Sequence, residues 1–160
     1  MLNSTRIDWD EKTYGEIDHL KMTPPFIRLS HKIDTPMGDS VCLYDLRCKK
    51  PSIERIHPRV LHSVEHILIE GFRHFFSEKF INAAPMGCQT GFYIILIGSL
   101  RPAEMLKLLE SIFIRSLKLE KVPYQEENSC GQPSFHNIEE AQSFIKELLN
   151  DKDSWLNILD

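Results

Sequence analysis

From His57 to Glu70 the chain carries a pattern with few structural solutions. Val60, Leu61, Val64, Ile67 and Leu68 recur at three- and four-residue steps, the spacing of one buried face of an α-helix. Pro58 suits a first helical turn, where its missing N–H costs nothing. Residues four apart lie one turn apart on the same side. His62 and His66 can therefore aim ring nitrogens at one point about 2 Å from each, the distance a transition metal requires. Glu65 brings its carboxylate beside that point. Two histidines and a glutamate do meet on helices by chance, but three ionisable groups on one patch of an otherwise apolar helix make poor core material. Metal binding is the reading that accounts for them.

Composition limits what such a helix can belong to. A chain of 160 residues fits one domain with a sizeable core, and its formal charge of −4 argues against a nucleic-acid footprint. The longest apolar run, Phe92 to Ile97, is far too short to span a bilayer. Met1 to Arg6 contain no apolar export segment, so a cytoplasmic location is expected, with the thiols of Cys42, Cys48, Cys88 and Cys130 reduced. No two of those cysteines form a C-x-x-C pair, which makes a zinc ribbon a poor fit.

Taken in order, residues 1–13 read as a polar, loosely held lead-in, and Met22 to Pro25 as a break. Phe26 to Ser30 and Val41 to Arg47 alternate in polarity on either side of turn residues 34–39, so 26–47 is predicted to form an antiparallel hairpin. The motif helix is expected to end between Gly71 and Phe76. Gly71 within it costs about 1 kcal/mol against alanine, which points to close packing or an early end. Lys79 to Ala84 reads as a weak strand. Phe92 to Ile97, apolar throughout, reads as a central strand buried on both sides. Between them Pro85 to Gly91 form a tight turn that presents Cys88 at a strand edge. A helix is predicted from Arg101-Pro102 to about Lys118, with Leu106, Leu109, Ile112 and Phe113 inward. A polar loop follows, and Asn137 with Glu140 resembles a capping box opening a last helix to about Leu149. Residues 151–160 read as peripheral. Hairpin, helix, strands, helix, helix predicts a single α+β domain over 1–160, a two-layer sandwich of a mainly antiparallel sheet with helices packed on one face.

Two histidines leave a metal site incomplete, since a catalytic metal takes three protein ligands and keeps one position open. Cys130, Cys88 and His136 are candidates for the third; His74 lies too far along the helix. A His2Cys set suits iron(II), zinc or cobalt, and spacing alone does not choose between the cysteines. By default His19, His31 and His136 are surface or capping residues, Arg47 a solvated charge, and Tyr14 a packed aromatic. H-x-x-E-H is also the inverzincin protease signature, with the glutamate as water-activating base.

His62 to His66, then Pro85 to Tyr93 around Cys88, then Cys130-Gly131 with His136 downstream, together resemble the S-ribosylhomocysteine lyase (LuxS) family. Asp18-His19 and Tyr44 to Arg47 extend the likeness over residues 14 to 149. The resemblance implies a homodimeric enzyme cleaving the thioether of S-ribosylhomocysteine to homocysteine and 4,5-dihydroxy-2,3-pentanedione, the autoinducer-2 precursor of quorum sensing. It implies a divalent metal, iron(II) replaceable by zinc or cobalt, on His62, His66 and Cys130. It implies proton transfer by Glu65 and Cys88, and substrate binding by His19 and Arg47 at a dimer interface.

The chain departs from the family pattern where substrate is expected. Tyr14-Gly15 stand in place of a usual Ser-Phe, Asn82 and Ala84 in place of Asp and Ser, and Cys48 in place of phenylalanine. Tyr14 and Asn82 are thus candidate substrate contacts. They also motivate an alternative, a non-catalytic descendant that binds a ligand or metal. A small metalloprotease is the remaining alternative.

Overall fold

The computed structural model describes residues 8–160. Residues 1–7, which include the stretch read for an export signal, lie outside the described residues. Strands β1 (Phe26–Asp34) and β2 (Ser40–Arg47) form the expected hairpin, closed where the Thr35 amide donates to the Asp39 carbonyl at 2.7 Å. β2 also pairs with β4 (Gly91–Ile97), and β4 with β3 (Phe80–Pro85). The order is β1-β2-β4-β3, every pair antiparallel. Helices α1 (Pro58–Phe76), α2 (Pro102–Ser116) and α3 (Ile138–Asn150) form the second layer, giving the predicted α+β sandwich.

Leu29, Tyr44, Leu46, Phe92, Ile94 and Leu96 project from the sheet into the helices, against Val64, Leu68 and Phe72 of α1. α1 runs through Gly71 instead of stopping there. A Cβ at Gly71 would lie 2.3 Å from Cγ2 of Ile112, so the glycine lets α2 approach α1 closely. α2 buries Met105, Leu109, Ile112 and Phe113, while Leu106, expected inward, is only half-buried. At the start of α3 the Asn137 side chain accepts from the Glu140 amide at 2.9 Å, the predicted cap.

Two expectations need correction. β4 is not buried on both sides: Tyr93 is 38% exposed and Ile97 41%, alternating with the buried Phe92, Ile94 and Leu96. All three helices lie on one side of the sheet, so a continuous apolar run here covers one packed and one open face. The segments read as loose or peripheral carry two core tryptophans. The Trp9 indole donates to the Leu100 carbonyl at 2.8 Å. Trp155 is 1% exposed, and its carbonyl accepts from the Ile27 amide at 2.9 Å. Leu159 then bridges to Met22, so the C-terminal stretch straps the β1 end of the sheet. Among the described residues no helix is long and apolar enough to cross a membrane.

Candidate functional site

α1 places His62 and His66 one turn apart, with ring centroids 4.8 Å from each other. The loop between α2 and α3 folds over them and delivers Cys130 and His136. Cys130 Sγ lies 3.5 Å from His62 Nε2 and 3.4 Å from His136 Nε2. Four potential ligand atoms thus gather within 4.8 Å of one another. With nitrogens near 2.0 Å and sulfur near 2.3 Å from a tetrahedral metal, an N···S edge measures about 3.5 Å. The two N···S edges that His62 and His136 make with Cys130 already have that dimension, within a group that spans up to 4.8 Å.

Hydrogen bonding fixes which nitrogens face inward. His62 Nδ1 lies 3.0 Å from the Phe135 carbonyl and His66 Nδ1 2.7 Å from the Pro123 carbonyl. A carbonyl only accepts, so both Nδ1 atoms carry the hydrogen and both Nε2 lone pairs point to the centre. For His136 the partner is Ser63 Oγ, at 3.3 Å. The Ser63 hydroxyl donates to the Arg59 carbonyl at 2.8 Å and accepts from the Asn137 amide at 3.0 Å. His136 Nδ1–H must then be the donor to Ser63, which again turns Nε2 inward. The Gln132 amide donates to Cys130 Sγ at 3.4 Å, which orients the sulfur within the cluster. Three lone pairs and a sulfur converging without a matching set of donors suit a divalent cation.

The electrostatics agree. Burial, and then the positive charge His62 and His66 can carry, push His136 down to about 4, so its ring stays neutral and ligand-ready near pH 7. Burial and His66 likewise lower His62, against the Phe135 carbonyl. Burial pushes the Glu65 carboxyl above its ordinary value, with His66 pulling partly back. A raised carboxyl beside the cluster is closer to a proton carrier's range than a solvated one. The structure thus brings both Cys130 and His136, two of the candidates for the third ligand, to the histidine pair, and His136 is not the surface or capping residue it would be by default. The signal for it was the Cys130-to-His136 spacing immediately ahead of the Asn137 cap.

Cys88 occupies a separate place. Its turn holds Gln89 at φ +60, and the next glycine presses onto β2: a Cβ at Gly91 would lie 2.2 Å from the Leu46 carbonyl oxygen. That approach sets the turn beside Arg47. Arg47 Nη1 donates to Thr90 Oγ1 at 3.0 Å and lies 3.9 Å from Cys88 Sγ, while Thr90 Oγ1 is 2.9 Å from the same sulfur. Asp45 accepts from Arg47 Nε and Nη2 and from Arg28 Nε, at 3.1, 3.0 and 3.1 Å. Arg47 is therefore a buried, paired cation and not a solvated one. Alternation along β2 already put Asp45 and Arg47 on one face, but Arg28 and Thr90 went unnoticed. Burial pushes the Cys48 and Cys42 thiols up, in keeping with structural roles, whereas Cys88 is exposed.

A groove of about 710 Å³ on the open sheet face is lined by Tyr14, Glu16, His19, Arg47, Cys88 and Tyr93, among others. It brings together four of the predicted residues, Cys88, Arg47, His19 and Tyr14. His62, His66, Cys130 and His136 are not part of its lining. Tyr14 contributes its ring, stacked on His31, while its hydroxyl accepts from the Lys32 amide at 3.0 Å. Asn82 lies exposed on β3, opposite Ile95, and does not line the groove.

Comparison with known proteins identifies the family. The family model described as S-ribosylhomocysteinase (LuxS) matches residues 14–158. The S-ribosylhomocysteine lyase of Macrococcus caseolyticus is 37% identical over 139 residues, covering 87% of this chain and 86% of that one. The lyase of Oceanobacillus iheyensis is 36% identical over 142 residues, 89% and 92% of the two chains, and that of Staphylococcus aureus 34% over 142 residues, 89% and 90%. A match of this length and level leaves the protease reading of H-x-x-E-H without support: the chain belongs to the S-ribosylhomocysteinase (LuxS) family.

Proposed function

We propose that this chain is a metal-dependent carbon–sulfur lyase that cleaves S-ribosylhomocysteine to homocysteine and 4,5-dihydroxy-2,3-pentanedione. The observation that carries the reading is the convergence of His62, His66, Cys130 and His136, in a chain of this family. The cluster would hold one divalent ion, iron(II) in the cell with zinc or cobalt able to substitute, and that ion supplies Lewis-acid polarisation of sugar oxygens. His62, His66 and Cys130 would form the metal's ligand set, with His136 as a fourth donor within reach.

The residues divide the remaining work. A thioether leaves readily from the carbon β to a carbonyl once the α carbon has lost a proton. The ribose carbonyl must first migrate along the sugar, and each migration removes a proton from one carbon and returns it to the next. Cys88, exposed in the groove beside Arg47, suits that exchange. Glu65, its carboxyl raised by burial, serves the oxygens and the final proton removal. His19 and Arg47 hold substrate. Tyr14 contributes ring packing, its hydroxyl being engaged by Lys32, and Asn82 stands further out on the same open face.

In a single chain the groove and the metal cluster do not share a lining, so we propose a homodimer whose interface completes each site. The exposed Tyr93, Ile97 and Ile81 on and beside the open face are apolar surface for such a contact. A cytoplasmic location fits the expected reduced thiols.

Anaerobic protein loaded with iron(II) or cobalt(II) is expected to release free thiol from S-ribosylhomocysteine, and a chelator to stop it. Cys88→Ala should abolish release while keeping metal, and Cys130→Ala should lose the metal. No thiol release from protein with verified metal content overturns the reading. Sedimentation at the single-chain mass overturns the dimer.

A further inference from the structure

The turn that carries Cys88 places a second side chain on its sulfur. Thr90 is 1% exposed, and its Oγ1 stands between Arg47 Nη1 at 3.0 Å and Cys88 Sγ at 2.9 Å. A threonine hydroxyl offers one hydrogen and two lone pairs. Arg47 occupies one lone pair. If the Cys88 thiol donated into the other, the buried Thr90 hydrogen would be left without an acceptor, which is costly. With the direction reversed, every group is satisfied: Asp45 accepts from Arg47, Arg47 donates to Thr90, and Thr90 donates to a Cys88 thiolate.

Charge balance selects the same direction. Arg28, Asp45 and Arg47 are all buried, two cations around one anion, while Glu16, His19, His31 and Tyr93 face the same groove from its wider rim. Of the two forms of Cys88 at the edge of that network, the thiolate neutralises the surplus positive charge and the thiol does not. Thr90 cannot readily turn elsewhere, because its backbone is fixed: its carbonyl accepts from the amides of Cys48 at 2.8 Å and Lys49 at 3.0 Å. Gly91 is pinned against β2 immediately after it.

We propose that Thr90 is the positioning residue for Cys88, donating its hydroxyl hydrogen to the thiolate and relaying onto it the orientation of the Asp45–Arg47 pair. The proposal rests on the proton-carrier reading of Cys88, and its test can fail separately from that reading. Thr90→Val keeps the shape and removes the donor; Thr90→Ser keeps the donor.

The readout is iodoacetamide alkylation of Cys88 in the metal-loaded protein, followed by peptide mass across pH. Loss of one hydrogen bond to a charged sulfur shifts the thiol–thiolate balance about ten-fold toward the thiol, a loss expressed in full at pH values low enough that the unaltered sulfur is itself mostly protonated. A thiolate that has lost a donor is also about three-fold more nucleophilic. Thr90→Val should therefore alkylate about three-fold more slowly than the unaltered chain on the acid limb of the pH curve, where both sulfurs are mostly protonated, and about three-fold faster on the alkaline plateau at about pH 10. Thr90→Ser should follow the unaltered curve. A general loosening of the turn raises the rate in both ranges, so the crossing of the curves marks the hydrogen bond. Should Thr90→Val not fold, Thr90→Ala is read in the same way. With S-ribosylhomocysteine as substrate, kcat should fall about ten-fold in Thr90→Val with KM within two-fold, again restored by serine. Curves that do not cross overturn the proposal. Crossing curves with unchanged turnover uphold Thr90 as the donor and overturn Cys88 as the proton carrier.

Discussion

Ser63 is not a metal-ligating residue type, yet it decides which nitrogen of His136 faces the cluster. Fully buried on α1, its oxygen receives both the His136 ring and the Asn137 amide while its hydrogen is committed to Arg59. Outer partners of this kind typically govern about 10- to 100-fold in metal affinity. Ser63→Ala is expected to weaken metal binding by about 10-fold, measured by competition with a chromophoric chelator. If Ser63 acts through His136, the same change in a His136→Ala background should add less than two-fold, because the ring it orients is gone. Equal effects in both backgrounds would separate Ser63 from the metal. Cys130→Ala sets the upper limit on the same scale.

At the scale of elements, α1 serves two masters: one face packs on the sheet and α2, and the N-terminal half of its rim presents His62 and His66. Gly71 marks the tightest point of that packing. Alanine there gains about 1 kcal/mol of helix propensity. Its methyl, however, would sit 2.3 Å from Ile112 Cγ2, deep in the core. Overpacking of this kind costs typically 1–3 kcal/mol, and Ile112, β-branched and fully buried, has little room to yield. Gly71→Ala is therefore expected to lower stability by about 1 kcal/mol net, seen as a lower midpoint in urea; a higher midpoint would mean that α2 moves away freely. The sequence periodicity of α1 exposes this helix and its histidine pair because both are local, set by residues three and four apart. The β1–β2 hairpin and the Asn137 cap were readable for the same reason. β4 was misjudged because an apolar run records affinity for cover without recording how many faces receive it. The roles of Thr90 and Arg28 are not legible because their partners Arg47 and Asp45 lie 43 and 17 residues away, and the place of His136, a candidate ligand by type, depends on Ser63, 73 residues away. Residue type alone does not encode such meetings.

For the whole molecule, the cluster is a clasp between α1 and the loop leading to α3, so its protonation bears on global stability. In metal-free protein the His136 ring is held down to about 4 by burial and by His62 and His66, against an ordinary value of 6.5. Between those two values the unfolded chain binds a proton that the folded one refuses. Stability from this group is complete above 6.5 and is lost as pH falls toward 4. His62, lowered for the same chief reason, acts in the same direction. Glu65 opposes them: its raised carboxyl stabilises the fold in acid and loses that contribution as pH rises above its ordinary 4.5. Two imidazoles against one half-buried carboxyl leave the histidines dominant. Chelator-treated protein is therefore expected to show a falling urea midpoint from pH 6.5 to 4. His136→Gln, which cannot titrate, should flatten that slope. Metal binding adds stability in proportion to occupancy, and since protons compete for the same Nε2 atoms, the increment must shrink across the same window. The loaded protein should then lose stability more steeply in acid than the metal-free one, with the two midpoints converging as pH approaches 4. A gap that stays constant between pH 6.5 and 4 would mean that the ion is not held by these imidazoles.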